Sequence, residues 1–516
     1  MPSRAHIDPI TTTIPDERQK LARHYGVHPY FTRRSASVIQ AYIRRFTQPG
    51  DVVADPFGGS GVTAIEAFLM GRTGVQNDVN PLANFLTRTI ADTTLPSTHP
   101  LKDAFGRVEA ACKDRIERLP AMSDAAVETV LKSLPLPENI RLPRNSDAEY
   151  FLDLFTSRQC ATLAMLKQGI LAEPNAAVRD ALLLAWSAAA AKLNKTFISA
   201  KGRAESRGGS SIFSIYRYKL AKNVVELPLW DTFRGRFLNV LDAKDEVLAV
   251  RDQNWTRAKE GARIDSAKHL VVFQTDATRL SEAMGEATVD YVFTDPPYGA
   301  HIAYLDLSIL WNHWLGFDVT ADVRGAEIIV GGELRLTEDH YKSRLAASIR
   351  DCVKLLRSDR WMSIVFQHWD TSYFQAILDA ASGAGAELKA ALTQEREVVW
   401  SMHKKKNSES VLGGEMILTF YKPVRERFEK CVRDGRTQMF AEMLDRVLKT
   451  EGGQREVTSQ YLFNKLILMA WEHNSLRELA VSRQEFADAL RTRGWNYDAA
   501  KHMWRVGESD HERQLI

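Results

Sequence analysis

An α/β fold built on a mainly parallel sheet, interrupted by a large helical insertion, is what this sequence predicts. Three observations carry that expectation. A short apolar strand, Asp51-Val-Val-Ala-Asp55, runs into Pro56-Phe57-Gly58-Gly59-Ser60-Gly61 and then a helix from Val62. Thr73 to Gln76 reads as a second strand, completing the strand–loop–helix–strand unit that opens a parallel sheet. Strand patterning resumes only at Leu270-Val-Val-Phe273, after a long stretch of helical periodicity.

The elements follow in order. Residues 1–27 are polar and are expected to form an arm. Val38, Ile39, Tyr42, Ile43 and Phe46 recur at helical spacing, so 36–46 is a short helix, and Gln48-Pro49-Gly50 is a turn. Residues 28–90 and 266–423 together form the sheet domain. Residues 91–265 form the insertion, with Ala177–Leu193 its clearest helix. Asp290–Asp295, Met362–Phe366, Glu397–Ser401 and Met416–Tyr421 fit later strands, with Tyr341–Leu356 and Tyr373–Ala384 as crossover helices. Residues 424–516 read as a small helical or winged-helix module, whose Trp495 and Trp504 suit a core.

Composition narrows the function. At roughly 150 residues per domain, 516 residues suggest two to four domains. The 45% hydrophobic and 26% charged content excludes a disordered or collagen-like chain. Lys plus Arg (68) nearly balances Asp plus Glu (65), which excludes a histone-like polycation yet leaves room for a local basic groove. The longest apolar run, Ala181–Ala191, is well short of the about 20 residues that span a bilayer, so no membrane partner is expected. Neither is a signal peptide. Cys112, Cys160, Cys352 and Cys431 are scattered without a C-x-x-C pair, which suits reduced thiols in a cytoplasmic protein and gives no metal site.

Two motifs carry chemistry. The glycine loop lets a backbone approach a ligand closely at a helix N-terminus. Its spacing matches neither the dinucleotide G-x-G-x-x-G nor a P-loop. Asp78, closing the second strand, suits the two hydroxyls of a ribose. Asp295-Pro296-Pro297-Tyr298 follows an apolar strand, where such sheets bind ligands. Two prolines stiffen the segment, holding a carboxylate, main-chain carbonyls and an aromatic face in fixed relation. An exocyclic base amino group needs that set. Its lone pair is delocalised into the ring, and acceptors on its N–H bonds localise it while an aromatic ring stacks on the base.

Asp55-Pro-Phe57-Gly-Gly59-Ser-Gly61 and Asp295-Pro-Pro-Tyr298, in this order, resemble the amino-group DNA methyltransferases, which make N6-methyladenine or N4-methylcytosine from S-adenosylmethionine (SAM). The resemblance covers roughly residues 25–95 and 266–421. It implies a Rossmann-like methyltransferase sheet with SAM as cofactor and DNA as substrate. It further implies that His28, Tyr30 and Phe31 flank the methionine part of SAM, beside Asp55, Phe57, Gly59, Ser60 and Gly61. Asp78 matches the ribose acid, and Asp276 with Ala277 matches the adenine contact. Asp295, Pro296, Pro297 and Tyr298 would be the catalytic set, acting on a base flipped out of the duplex. Tyr304–Ser308 and Trp311–Leu315 also look like segments beside this motif in larger methylases. The chain departs from the family in the long insertion between the second and third strands, which the resemblance does not identify with a target-recognition domain.

Within that insertion, Ser199–Asn223 interleaves Lys201, Arg203, Arg207, Arg217, Lys219 and Lys222 with Phe213, Tyr216 and Tyr218, around Gly208-Gly209-Ser210-Ser211. Cations for phosphates, aromatics for bases and a flexible centre point to nucleic acid. Lys404 and Lys405 lie in a second basic segment. Adenine N6 is the expected target, with subunits of a modification or defence system as further partners. The alternatives are a tRNA guanine-N2 methyltransferase, in which the same Asp-Pro-Pro-Tyr-Gly occurs, and a SAM-binding subunit without turnover.

Overall fold

The computed structural model describes residues 4–15, 24–199, 208–250, 254–257, 269–300, 302–395, 414–424, 440–450, 456–473, 476, 479 and 481–506. Its strands, in chain order, are β1 (Val52–Asp55), β2 (Thr73–Asn77), β3 (Phe197–Ser199), β4 (Gly208–Ser210), β5 (Asn254–Arg257), β6 (His269–Phe273), β7 (Val289–Thr294), β8 (Leu356–Phe366), β9 (Glu387–Glu395), β10 (Gly414–Lys422), β11 (Glu456–Val457), β12 (Trp495–Asp498) and β13 (Met503–Val506). The central sheet has the order β5-β6-β2-β1-β7-β8-β10-β9. From β5 to β8 every neighbour is parallel, and β10 runs antiparallel to both β8 and β9.

β1, β2 and β7 are buried along their whole length, as expected of parallel strands covered on both faces. The chain leaves β1 outward through β2 and β6, then returns to the other flank of β1 as β7. The order therefore reverses between β1 and β7, and the crevice at the carboxyl ends of those strands is where open α/β sheets hold ligands. Asp55 ends β1, and Asp295 directly follows β7.

Three helices frame that crevice. Helix α1 (Ala36–Phe46) buries Val38, Ile39, Tyr42, Ile43 and Phe46 against Val53, Tyr291, Phe293 and Trp361. Helix α2 (Val62–Leu69) begins immediately after the glycine loop. Helix α3 (Pro81–Ala91) starts with proline, and the Asn80 side chain accepts the Leu82 N–H.

Several strands differ from the sequence reading, among them β3 and β4, which pair inside the insertion expected to be helical. β5 lies inside the region expected to be helical, yet it pairs with β6 at the sheet edge. β9 spans Glu387–Glu395, where no strand was expected, and the expected strand at 397–401 falls outside the described residues. The residues of β9 are rich in Glu, Lys and Gln, as suits an edge strand, so they lack the apolar run that marks the buried strands.

The insertion's longer helices are His99–Arg118, Asp124–Leu131, Ser157–Leu171, Ala176–Ala190 and Leu229–Leu248. They share one continuous hydrophobic cluster with α2, α3, Trp311 and Trp314, so they form a covering layer of the sheet. The C-terminal unit runs helix (Phe440–Thr450), β11, helices Ser459–Glu472 and Arg483–Thr492, β12 and β13, with a three-stranded sheet ordered β11-β13-β12. Trp495 and Trp504 are buried in its core, which is continuous with Met416 and Leu418 of the main sheet.

The arm is strapped down over residues 4–14. Buried Arg4 pairs with Asp51, and Gln394 exchanges hydrogen bonds with the backbone of Ile14. Cys112, Cys160 and Cys352 are buried free thiols. Among the described residues, no helix is long and apolar enough to cross a membrane.

Candidate active site

The glycine loop closes on itself before any ligand is considered. Gly61 has φ +84°, and a Cβ there would stand 2.1 Å from Thr87 Oγ1 of α3. Only glycine fits such a left-handed, close approach. Both oxygens of Asp55 are engaged: Thr63 Oγ1 donates to one at 2.8 Å, and Thr294 Oγ1 (2.8 Å) and the Phe57 N–H (3.1 Å) donate to the other. Asp55 thus clasps β1, α2 and β7 together. Burial, partly offset by these donors, moves its pKa up to about 7.

Asp78 accepts the Gly59 N–H at 2.9 Å and the Asn80 N–H at 2.8 Å. Burial raises its pKa to about 6, although two backbone donors favour the ionised form.

These residues border a cleft of about 860 Å³, its open mouth included. Tyr30, Phe57, Gly59, Ser60, Asp78, Ala277, Asp295 and Pro297 line it, together with Arg34, Asn80, Tyr304 and Glu327. The loop and the carboxylate after β7, separated by the whole insertion in sequence, thereby face one space.

Several expected contacts lie elsewhere. His28 is buried beside Trp311 with Nδ1 at 2.6 Å from the Pro29 carbonyl, and burial lowers its pKa to about 3, so it is neutral. Phe31 is packed among Phe213, Tyr304 and Trp311. Asp276 is outside the lining. Thr278 N–H and Oγ1 donate to its Oδ1, both at 2.9 Å, and Arg344 pairs with its Oδ2, so its neighbour Ala277 is what faces the cleft. Pro296 is buried, and Tyr298 makes a T-shaped ring contact with Phe366.

Arg34 and Glu327 were not singled out by sequence reasoning. Arg34, buried just ahead of α1, donates to Asp295 and to the Tyr298 hydroxyl and pairs with Glu415 of β10. In sequence it is one of two adjacent arginines in a polar stretch, which looks like a solvated face. Glu327 accepts the Leu305 N–H at 2.9 Å, and burial lifts its pKa to about 8. Its only signal was a lone acid ahead of Ile328-Ile329-Val330.

The basic stretch is corrected in part. Gly208–Ser210 is strand β4 and Ser211 starts a short helix, both serines buried, so Gly-Gly-Ser-Ser is not a flexible loop. Phe213 packs on Phe31 and Trp311. Buried Tyr218 donates to the Leu307 carbonyl (2.8 Å) and accepts the Leu310 N–H (3.1 Å). These two aromatics are therefore structural, and Tyr216 is the exposed one. Arg217 pairs with Asp147, and Lys219 N–H bonds the Ser211 hydroxyl. Lys201, Arg203, Arg207, Lys404 and Lys405 lie outside the described residues. The first three fall between the paired strands β3 and β4, and the other two between β9 and β10.

Comparison with known proteins gives three findings. Residues 9–82, from the arm through the glycine loop and Asp78, match a family model described as DNA methylase. The Type II methyltransferase M.MjaII of Methanocaldococcus jannaschii is 29% identical over 65 residues, covering 13% of this chain. The match spans only 12% of that relative's length. The crystal structure of the antibiotic-resistance methyltransferase Kmr is 12% identical, covers 31% of this chain and 63% of its own, and superposes with a TM-score of 0.17.

Proposed function

We propose that this chain, whose residues 9–82 carry the sequence of the DNA methylase family, transfers the methyl group of SAM to an exocyclic amino group in DNA, adenine N6 in preference to cytosine N4. One observation carries the reading. Asp295 Oδ1, at the carboxyl edge between β1 and β7, is shielded from solvent and has no hydrogen-bond partner among the described residues. A buried acceptor without a donor is costly, by about 1–3 kcal/mol, unless a ligand supplies one.

The residues fit SAM. Gly59 leaves room under Tyr30, where a Cβ would approach Cε1 to 3.1 Å. The Asp78 carboxylate faces the same cleft and suits a ribose diol. Bound there, SAM would supply an electrophilic methyl group on its sulfonium. Asp295 would accept an amino N–H at Oδ1 and turn the nitrogen lone pair into the cleft. Tyr298 would stack on the flipped base. The chain's contribution is mainly positioning in a site shielded from water.

Duplex binding is assigned to Lys201, Arg203 and Arg207, which fall between β3 and β4 in sequence, to Lys404 and Lys405, which fall between β9 and β10, and to Arg217 and Lys219. The described residues that flank these connections are tied to residues at or beside the cleft. The β4 segment leads into Phe213, which packs on Phe31, and β10 opens with Gly414 and Glu415, the partner of Arg34. A cytoplasmic enzyme of genome modification or defence, working with further subunits, fits this reading.

The test is incubation of the purified chain with radiolabelled SAM and either unmethylated plasmid DNA or tRNA. Label in DNA, recovered as N6-methyladenine, is the expected result. Label in tRNA alone would replace the reading with the RNA enzyme, and SAM binding without label in either would replace it with a non-catalytic subunit.

A further inference from the structure

Arg34 is a cation that touches both ends of the expected catalytic set, and the way it does so is specific. Its Nε donates to Asp295 Oδ2 at 2.9 Å, and Nη2 forms an ion-pair contact with the same oxygen at 2.8 Å. An arginine–carboxylate fork commonly engages both oxygens, one N–H to each. Here both nitrogens of the fork lie against Oδ2, and Oδ1 is left buried and without a partner among the described residues. Nη2 also reaches the Tyr298 hydroxyl, so one guanidinium grips the first and last residues of the Asp-Pro-Pro-Tyr segment. Glu415, buried on β10, pairs with Nη1 from the far side. The guanidinium is therefore held in place by a residue that is not part of the segment it grips.

We propose that Arg34 is the positioning residue of this site: braced by Glu415, it fixes Asp295 through Oδ2 and Tyr298 through its hydroxyl, so that Oδ1 is presented to the target amino group and the aromatic ring to the base. The proposal rests on the function given above. Burial by itself disfavours the charge on Arg34, and Asp295 and Tyr298 outweigh that, raising its pKa above the ordinary arginine value. It therefore stays a cation at any working pH, and Asp295 meets a permanent donor.

Charge balance for two acids is the competing role, and lysine would serve it. Lysine carries the same charge as a flexible point and lacks the planar fork, so it could not hold Asp295 and Tyr298 in one plane. Arg34→Lys therefore separates the two roles. Turnover on unmethylated plasmid DNA, SAM affinity by calorimetry and the unfolding temperature are measured for wild type, Arg34→Lys and Arg34→Ala. The expected result for Arg34→Lys is a kcat reduced roughly 100-fold, as for a reacting group held about an ångström out of place. Its SAM affinity and unfolding temperature should match wild type. Added guanidinium ion should partly restore turnover in Arg34→Ala and not in wild type. An Arg34→Lys kcat equal to wild type would overturn the positioning role alone. So would a kcat loss that merely tracks weakened SAM affinity and a lowered unfolding temperature. Wild type that methylates neither DNA nor RNA would overturn the proposed function, and this inference with it.

Discussion

SAM affinity should fall as pH is lowered through the titration of Asp78. The carboxylate stands in the cleft with a pKa raised to about 6 by burial, and only its ionised form offers acceptors to both ribose hydroxyls. If the ionised form alone binds, the apparent dissociation constant scales with the inverse of the ionised fraction. That fraction is nearly complete at pH 7.5 and about one in eleven at pH 5, given a pKa of about 6. Affinity should therefore weaken about tenfold between those values, or about 1.4 kcal/mol. Sign and direction agree: binding favours the deprotonated group, so it is full above the pKa and lost as pH falls through it. Asp78→Asn should abolish this dependence. It should also weaken binding at pH 7.5 by about 1.5–3 kcal/mol, the worth of a charge-assisted hydrogen bond. An amide keeps one acceptor oxygen, whereas the carboxylate serves both the Gly59 and Asn80 N–H groups, so part of the loss reflects a loosened glycine loop. Titration calorimetry from pH 5 to 8 measures both effects. A flat wild-type profile, or the same slope in Asp78→Asn, would refute the argument.

Asp295→Ala should abolish turnover while calorimetry shows SAM binding nearly intact, because its free oxygen is assigned to the substrate; near-normal turnover would remove it from the mechanism. Glu327, with its pKa lifted to about 8, is mainly neutral at pH 7, and its ionisation as pH rises through that value adds a further negative charge to a cleft already lined by Asp78 and Asp295. Turnover should thus decline above pH 8 in wild type and stay level in Glu327→Gln, as a pH–rate series would show. Gly61→Ala should destabilise the fold by about 1–3 kcal/mol, read by denaturant unfolding, since it combines φ +84° with a clash at Thr87. Replacing Lys201, Arg203 and Arg207 with Ala should lower DNA affinity and reduce its salt slope by about 0.9 for each phosphate no longer neutralised; coincident salt series would move recognition elsewhere.

Much of the catalytic core was legible in sequence because its signals are local. A strand, a glycine loop and a helix occupy adjacent residues, so Asp51 to Val62 declares its own strand–loop–helix unit. The Asp-Pro-Pro-Tyr segment likewise carries its own stiffness. The expected helix at 36–46 appears as Ala36–Phe46 because five apolar residues at helical spacing have only one face to bury. β9 was missed because an edge strand needs no apolar run, and β5 because helical neighbours masked it. The basic stretch was misread in part for a related reason. Composition counts Phe213 and Tyr218 as available aromatics, and packing against Phe31, Trp311 and the Leu307 carbonyl uses both of them.

What the sequence determined by itself was the fold class, the two motifs and the strand ends on which they sit. Those follow from periodicity and backbone stereochemistry over a few residues. Tertiary structure alone decided the fate of the charges. Arg34 and Asp295 are 261 positions apart, yet their side chains meet because β7 returns beside β1 under α1. The same packing assigned both oxygens of Asp55 to Thr63, Thr294 and Phe57, tied Asp276 to Arg344 and Arg217 to Asp147, and left Asp295 Oδ1 without a partner among the described residues. A charged residue looks the same in sequence whether it faces water, a counter-ion or a substrate. Its energy depends on burial and on neighbours a few ångströms away, which only the folded chain supplies.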